Sequence, residues 1–289
     1  MKSFIKDIII NLIIYTIIIS SINYITPYYW GNESITTKIN YLNNSTEKYN
    51  TFFFGSSRIY RHIIPNEFDK IAKTKSFNLG ATGMFHYEQN YILRKFLYKF
   101  KYIENVNTII LGNSTPKPIA KINLHSNRTR YYVDCKTFKE ATHFFIQKGQ
   151  YKQVYYYTIA FIENLLSIGS LSDKLKSIIN KESTSSVNDT ILKQKGFYSL
   201  NQQSKHDKRL KTRNQAYLTK LENNDYSSYN PVNLEVVHSY DFNNTSIYYI
   251  PKITINPKYK FDRGHYNELG AKIISRKIAR AFNKNKAKE

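Results

Sequence analysis

Apolar residues along this chain come in blocks whose lengths and periods differ. Residues 8–25 (IIINLIIYTIIISSINYI) form a run of about eighteen positions without a formal charge, behind Lys2 and Lys6. The next stretch, residues 31–50, is polar (GNESITTKINYLNNSTEKYN) and reads as a linker or a loosely packed arm. Phe52-Phe53-Phe54 then breaks in as a short unbroken apolar run, the pattern of a central strand in a parallel sheet with both faces covered. Residues 106–111 (VNTIIL) predict a second such strand. Between them, residues 83–100 have helical spacing: Phe85, Ile92 and Phe96 share one face, widened by Leu93, Leu97 and Phe100. Strand, helix, strand in this order predicts a parallel α/β sheet.

Residues 154–168 carry aromatic and aliphatic side chains at helical spacing and read as core or lid. Residues 182–229 are rich in Ser, Asn, Gln and Lys, with a helix expected at 205–221, and read as part of an insertion. In the last segment, 268–282, Ile274, Ile278, Ala281 and Phe282 form an apolar stripe opposite Lys272, Arg276, Lys277 and Arg280. Asn267 stands where this helix needs its N-cap.

The run at 8–25 changes the picture most. It is near the minimum length for a spanning helix, and the basic residues before it predict a cytoplasmic tip at 1–7. A cleaved signal peptide and a buried core helix are the alternatives; Ser20-Ser21-Ile22-Asn23 makes a poor cleavage site, and the polar stretch after the run does not suit a core. The expected organisation is therefore an anchor at 8–25, a linker at 26–50, and an α/β domain at 51–289 with a variable insertion at about 126–235. That domain would lie outside the cytoplasm, tethered to the cytoplasmic membrane by a single pass.

Composition adds less. At 289 residues, 41% hydrophobic, the chain can bury an ordinary core. A single cysteine, Cys135, excludes an intramolecular disulfide framework and a multi-cysteine zinc site. His62, His86, His125, His143, His206 and His238 show no metal-ligand spacing, so neither metal nor cofactor is expected. The net charge of +22 fits an attraction to nucleic acid or to anionic lipid or polysaccharide, but the stronger reading is compositional: Lys, Asn, Ile and Tyr are abundant along the whole chain, and the basic residues form no arm that would mark a nucleic-acid binder.

Candidate chemistry sits at two places far apart in sequence. Gly55-Ser56-Ser57 directly follows the first apolar strand, where open α/β sheets collect their ligands; either serine could instead merely cap the next helix. Arg58 beside them is a candidate substrate contact, or a solvated charge. At the other end, Asp262-Arg263-Gly264-His265 spaces a carboxylate and an imidazole three residues apart before the last helix. That spacing suits an Asp that orients a His while the ring takes a proton from a serine.

Together these stretches resemble the SGNH/GDSL hydrolase superfamily. Gly55-Ser56-Ser57 is similar to its Gly-Asp-Ser first block, with Ser in place of Asp. Residues 77–83 (FNLGATG) look like its second block, and Asp262-x-x-His265 matches its last block without a gap. In place of the third block, Gly-x-Asn-Asp, the chain has Gly112-Asn113-Ser114-Thr115, with the Asn one place early. The resemblance covers residues 50–120 and 255–285 and implies an SGNH-like three-layer sandwich around a parallel central sheet. It further implies a nucleophile at Ser57, with His265 and Asp262 as its base and orienting carboxylate, and an oxyanion hole from the N–H groups of Ser57 and Gly80 with Asn113. With an N-terminal anchor, the chain is similar to the membrane-tethered members of bacterial envelope acylation systems. This implies a serine esterase or O-acyltransferase acting on an O-acylated envelope glycan, with a membrane-bound acyl donor as a partner. A catalytically inactive relative that binds acidic polysaccharide or lipid is the other reading.

Overall fold

The computed structural model describes residues 2–25, 33–84, 106–112, 133–165, 190–200, 219–220, 246–250 and 255–287. They belong to two compact units, one of residues 1–36 and 118–183, the other of 37–117 and 184–289.

The second unit is α/β, built on a five-stranded sheet. Its strands are β1 (Thr51–Phe54), β2 (Ser76–Asn78), β3 (Thr108–Gly112), β4 (Thr219–Lys220) and β5 (Ser246–Ile250), in the order β2-β1-β3-β5-β4. All neighbours are parallel except β4, which runs antiparallel to β5 at the edge. Every residue of β1, β2 and β3 is buried, as their unbroken apolar or small-residue character requires.

Register decides what each face carries. Phe53, Ile110 and Tyr248 lie side by side across β1, β3 and β5. Against them pack α3 (Ser57–His62), α4 (Pro65–Ala72) and the long C-terminal helix through Ile59, Ile63, Phe68, Ile274, Ile278 and Phe282. Phe52 and Phe77, paired one position away, point to the opposite face by the two-residue period of a strand. There Tyr41 of α2 (Glu33–Asn44) stacks on Phe77, with ring centroids 5.8 Å apart, and Tyr49 meets Phe77 edge-on at 5.2 Å.

α2 corrects the reading of residues 31–50 as a linker. Ile35, Lys38 and Leu42 of this helix are buried. The apolar positions 35, 39 and 42 recur at i, i+4 and i+7, a stripe too sparse to stand out among so many polar residues. The helix expected at 205–221 is corrected at its end, because Thr219 and Lys220 form the edge strand that pairs with Tyr249 and Tyr248. The helix expected at 83–100 lies outside the described residues beyond Met84.

In the first unit, α1 is one continuous helix, Lys2–Ile25, whose Ile8, Ile9, Ile10, Leu12, Ile13 and Ile14 are all exposed. Among the described residues no helix is long and apolar enough to cross a membrane; on α1 the side chains of residues 2, 3, 19 and 22–25 lie outside the described set. Two further helices, α5 (Cys135–Gln147) and α6 (Tyr151–Leu165), form a pair sealed by Phe145 against Tyr157 and by Phe138 stacked on Phe161 at 4.7 Å. The helical reading of 154–168 thus holds, with the helix starting earlier at Tyr151. Asp134 caps α5 by accepting from the Thr137 N–H at 2.9 Å.

The C-terminal helix, α7 (Glu268–Lys286), starts where Asn267 predicts: its Oδ1 accepts from Gly270 N–H at 3.0 Å. Ser275 Oγ accepts from Ile64 N–H at 2.8 Å, tying α7 to the bend between α3 and α4. On the exposed side, Arg276 and Lys70 both pair with Glu67, at 2.7 and 3.1 Å. Burial raises the Glu67 pKa, but these two cations outweigh it and hold the carboxyl below its ordinary range.

Phe282 is the keystone of this layer, with Tyr248 at 5.1 Å and Phe68 at 5.6 Å between ring centroids. Phe282→Ala is expected to cost about 3–5 kcal/mol, the usual range for truncating a fully buried Phe. Urea denaturation followed by Trp or Tyr fluorescence measures it, and a loss below about 1 kcal/mol would contradict this packing.

Candidate active site

The strand order places the site. The chain leaves β1, reaches β2 on one side, and returns to β3 on the other, so the crevice at the carboxyl ends opens directly after Phe54. Gly55-Ser56-Ser57 occupies it. A Cβ on Gly55 would stand 2.5 Å from Ile59 Cγ1, and one on Gly112, at the end of β3, would collide with the same side chain. Both positions need glycine because Ile59 closes over the strand ends.

Ser56 is the N-cap residue of α3, but its side chain makes no capping bond, and Ser57 is the first helical residue. Ser57 Oγ lies 2.9 Å from His265 Nε2, across 208 positions of sequence. His265 Nδ1 in turn lies 2.9 and 3.0 Å from the two Asp262 oxygens. An Nδ1–H facing a carboxylate leaves the Nε2 lone pair facing the serine, the tautomer a general base needs.

A tight turn holds the pair. Asp262 Oδ1 accepts from the backbone N–H of Gly264 at 2.7 Å and of His265 at 2.8 Å, while Phe261 N–H donates to His265 O at 2.9 Å. Burial raises the Asp262 pKa, yet the bond from the His265 ring and the backbone N–H groups bring it below its ordinary range, so the carboxylate stays ionised near neutrality. Side-chain exposure is 25% for His265 and 32% for Asp262, which leaves the dyad open to a ligand.

His62, at the far end of α3, carries no metal-ligand spacing in the sequence, yet it supports the site. It is buried, and its Nε2 accepts the Tyr266 N–H at 3.1 Å, with its ring 6.0 Å from that of His265. Burial, then the charges of His265 and Arg58, push its pKa well below the ordinary value, so the ring is neutral and available as an acceptor. Tyr266 is fixed a second time, where its hydroxyl accepts from Ile255 N–H at 2.9 Å. No spacing in the sequence points to His62, because its partner lies 204 positions away.

Asn78 is a second supporting residue that no sequence signal marks. Its Nδ2 donates to Ile59 O at 2.9 Å and Ile63 O at 2.8 Å, and its Oδ1 accepts the Gly80 N–H at 2.9 Å. The Gly80 N–H assigned to an oxyanion by resemblance is therefore committed to Asn78. The next peptide is held from both sides: Gly80 O accepts from Lys38 Nζ at 2.6 Å, and Ala81 N–H donates to Gly55 O at 3.0 Å. Lys38 is fully buried beside the Tyr60 ring, 4.3 Å from its centroid, and burial lowers its pKa well below the usual lysine value. A polar anchor thus runs from α2 through Gly80-Ala81 to the serine turn.

Arg58 is exposed and makes no ion pair among the described residues. Asn113 lies outside the described residues, which end at Gly112 on that strand. Among the described residues no cluster of three or more His, Cys, Asp or Glu side chains could hold a metal ion. No family model matches this chain, and neither a curated protein nor a solved structure matches it.

Asn78→Ala strands the Ile63 carbonyl and the Gly80 N–H, while Ile59 O keeps the Ile63 N–H at 3.2 Å. It is expected to destabilise the fold by at least about 2 kcal/mol, since each unsatisfied buried group costs roughly 1–3 kcal/mol. Thermal denaturation of the variant checks this, and an unchanged melting temperature would show that the amide is dispensable.

Proposed function

We propose that this chain is an extracytoplasmic serine esterase or O-acyltransferase acting on O-acyl groups of a cell-envelope glycan. The observation that carries the proposal is the unbroken relay Ser57 Oγ to His265 Nε2 and His265 Nδ1 to Asp262, both links at 2.9 Å, at the carboxyl edge of a parallel sheet. An SGNH-like three-layer fold agrees with this edge and with helices on both faces of the sheet.

In this reading His265 Nε2 removes the Ser57 proton as Oγ bonds to the ester carbonyl carbon and the carbonyl electron pair moves onto oxygen. The ionised Asp262 stabilises the imidazolium that results. When the tetrahedral intermediate collapses, the bond to the alcohol breaks and His265 returns its proton to the leaving oxygen. The acyl-serine is then attacked by water, giving an esterase, or by a sugar hydroxyl, giving a transferase, with His265 again the base. Ser57's own N–H, at the first helical position where no intrahelical acceptor exists, is one donor for the oxyanion. Gly80 N–H joins it only by giving up Asn78, and Asn113 completes the set implied by the family likeness.

The anchor is part of the proposal. It is read from the run 8–25, which carries no formal charge and whose described side chains are exposed; eighteen residues at about 1.5 Å each reach about 27 Å, close to a hydrocarbon core of about 30 Å. Lys2 and Lys6 set its N-terminus in the cytoplasm. A tethered site on the outer face meets envelope polymers, and a net charge of +22 favours acidic ones and a membrane-bound acyl donor at close range.

A second reading, an inactive relative that only binds acidic polysaccharide, is favoured by one observation, the commitment of Gly80 N–H to Asn78. Covalent labelling decides between them. A fluorophosphonate probe is expected to modify Ser57, with labelling and ester hydrolysis abolished in Ser57→Ala, lost nearly as fully in His265→Ala, and reduced less in Asp262→Asn. Ser56→Ala should retain a measurable part of both. The Asp262 contribution to the turn, with its pKa depressed, is fully present above the unfolded carboxyl value and is lost only as pH falls through the lower folded one. An unlabelled wild-type protein with native circular dichroism would leave only the binding reading.

Topology has its own test. A reporter fused after Glu289 is expected to be active only outside the cytoplasm, and the protein to stay with membranes in carbonate. Cytoplasmic activity of the full-length fusion would remove the anchor. In cells, glycan O-acetyl content measured by NMR should rise in Ser57→Ala for an esterase and fall for a transferase.

A further inference from the structure

We propose that Arg61, laid against Tyr198, forms a subsite for an anionic oxygen group of the ligand, a carboxylate or a phosphate, on the helix that carries Ser57. Its place beside the reacting ester rests on the proposed nucleophile; its capacity to bind an anion does not.

Helical geometry sets the neighbourhood. Ser57 and Arg61 are four residues apart in α3, so they share one face with Cβ atoms about 6 Å apart. The Arg61 guanidinium lies 5.1 Å from the Tyr198 ring centroid and 5.9 Å from that of Tyr60. Those two rings are themselves stacked, 5.6 Å apart and 19° from parallel, and Tyr198 N–H donates to Tyr60 O at 3.1 Å. The aromatic platform is therefore fastened to the backbone of the nucleophile helix. A guanidinium supported by rings loses little rotamer freedom on binding, and its planar fork matches two oxygens of a carboxylate or phosphate.

The Nε of this cation has no acceptor among the described residues. Among the described residues no ion pair involves Arg61 or Arg58. Arg61 Nε is shielded from solvent and has no hydrogen-bond partner. A guanidinium without a paired acceptor gains one when an oxyanion docks on its fork. α3 (SRIYRH) contains no acid beside its two arginines, and the nearest ionised carboxylate the site holds, Asp262, is engaged by the His265 ring and the turn's N–H groups. Lys and Arg residues elsewhere on the surface raise the local concentration of any polyanion; Arg61 is the one fixed in orientation next to Ser57.

Titration calorimetry on the full-length Ser57→Ala protein in detergent tests the subsite without turnover. Galacturonate and inorganic phosphate are the probes, and galactose is the neutral control. Saturable binding is expected for at least one anion and not for galactose, and the tighter anion names the uronate or the phosphate class. Adding Arg61→Gln should weaken that binding by at least about tenfold, the range of charge-assisted hydrogen bonds. Arg61→Lys, which keeps the charge and loses the fork, should weaken it by a smaller factor and serves if the Gln variant does not fold. Arg280→Gln, which removes an equal charge from the exposed face of α7, should change it less than twofold. Absence of saturable binding by either anion, or equal losses in Arg61→Gln and Arg280→Gln, would overturn the subsite. Because Ser57 is absent throughout, the result stands apart from fluorophosphonate labelling of the wild type, which tests the nucleophile.

Discussion

The carboxamide of Asn78 is the interaction on which the rest of the site depends. α3 has only six residues, too few to hold a helical turn in place by its own hydrogen bonds. Two carbonyls at this helix and its exit, Ile59 O and Ile63 O, are taken by Asn78 Nδ2, while the same side chain accepts from Gly80. Asn78 is paired in register with Phe53 of β1, so the strand that ends at the serine turn and the strand beside it together fix α3. The position of Ser57 is thereby set by the sheet and not by its own loop.

The C-terminal segment is fastened to the same helix. His62 accepts from Tyr266 N–H, the residue after His265, and Ser275 on α7 reaches Ile64 N–H where α3 hands over to α4. The imidazole of His265 is therefore held against Ser57 through bonds to α3 itself. A neutral His62 is required for this, since a protonated ring has no lone pair left for the Tyr266 N–H. Burial supplies that neutrality, just as the bonds around Asp262 supply the opposite, an ionised carboxylate only a short distance away. Two titratable groups near one another are thus held in opposite charge states by environment.

Lys38 shows the same economy on the other face of the sheet. A buried ammonium is unfavourable, and its lowered pKa reflects that, yet its amine donates to Gly80 O and faces the Tyr60 ring. α2 thereby contributes a group to the floor of the crevice. With Tyr60 stacked on Tyr198 and Arg61 beyond it, one residue of α3 joins the packing of α2 to the Arg61 guanidinium.

Local sequence determined the elements whose signals are local. Phe52-Phe53-Phe54 is apolar enough to be buried on both faces wherever it packs, the stripe of Ile274, Ile278 and Phe282 has one period, and Asn267 caps the helix that carries it. The Asp262–His265 turn belongs here too, because both its bonds close within three residues. Residues whose partners lie far along the chain were not legible: Asn78 and His62 carry no periodic signal, and α2 hid its stripe among Asn and Thr. β5, with its partly polar neighbours, and the two-residue β4 gain their strand character from pairing, which no single segment encodes. The choice between Ser56 and Ser57 was likewise tertiary. Both come after Gly55, and only the docking of a turn 208 positions away shows which hydroxyl meets the imidazole, because that distance is set by the packing of α7 on α3 and α4 and not by spacing in the chain.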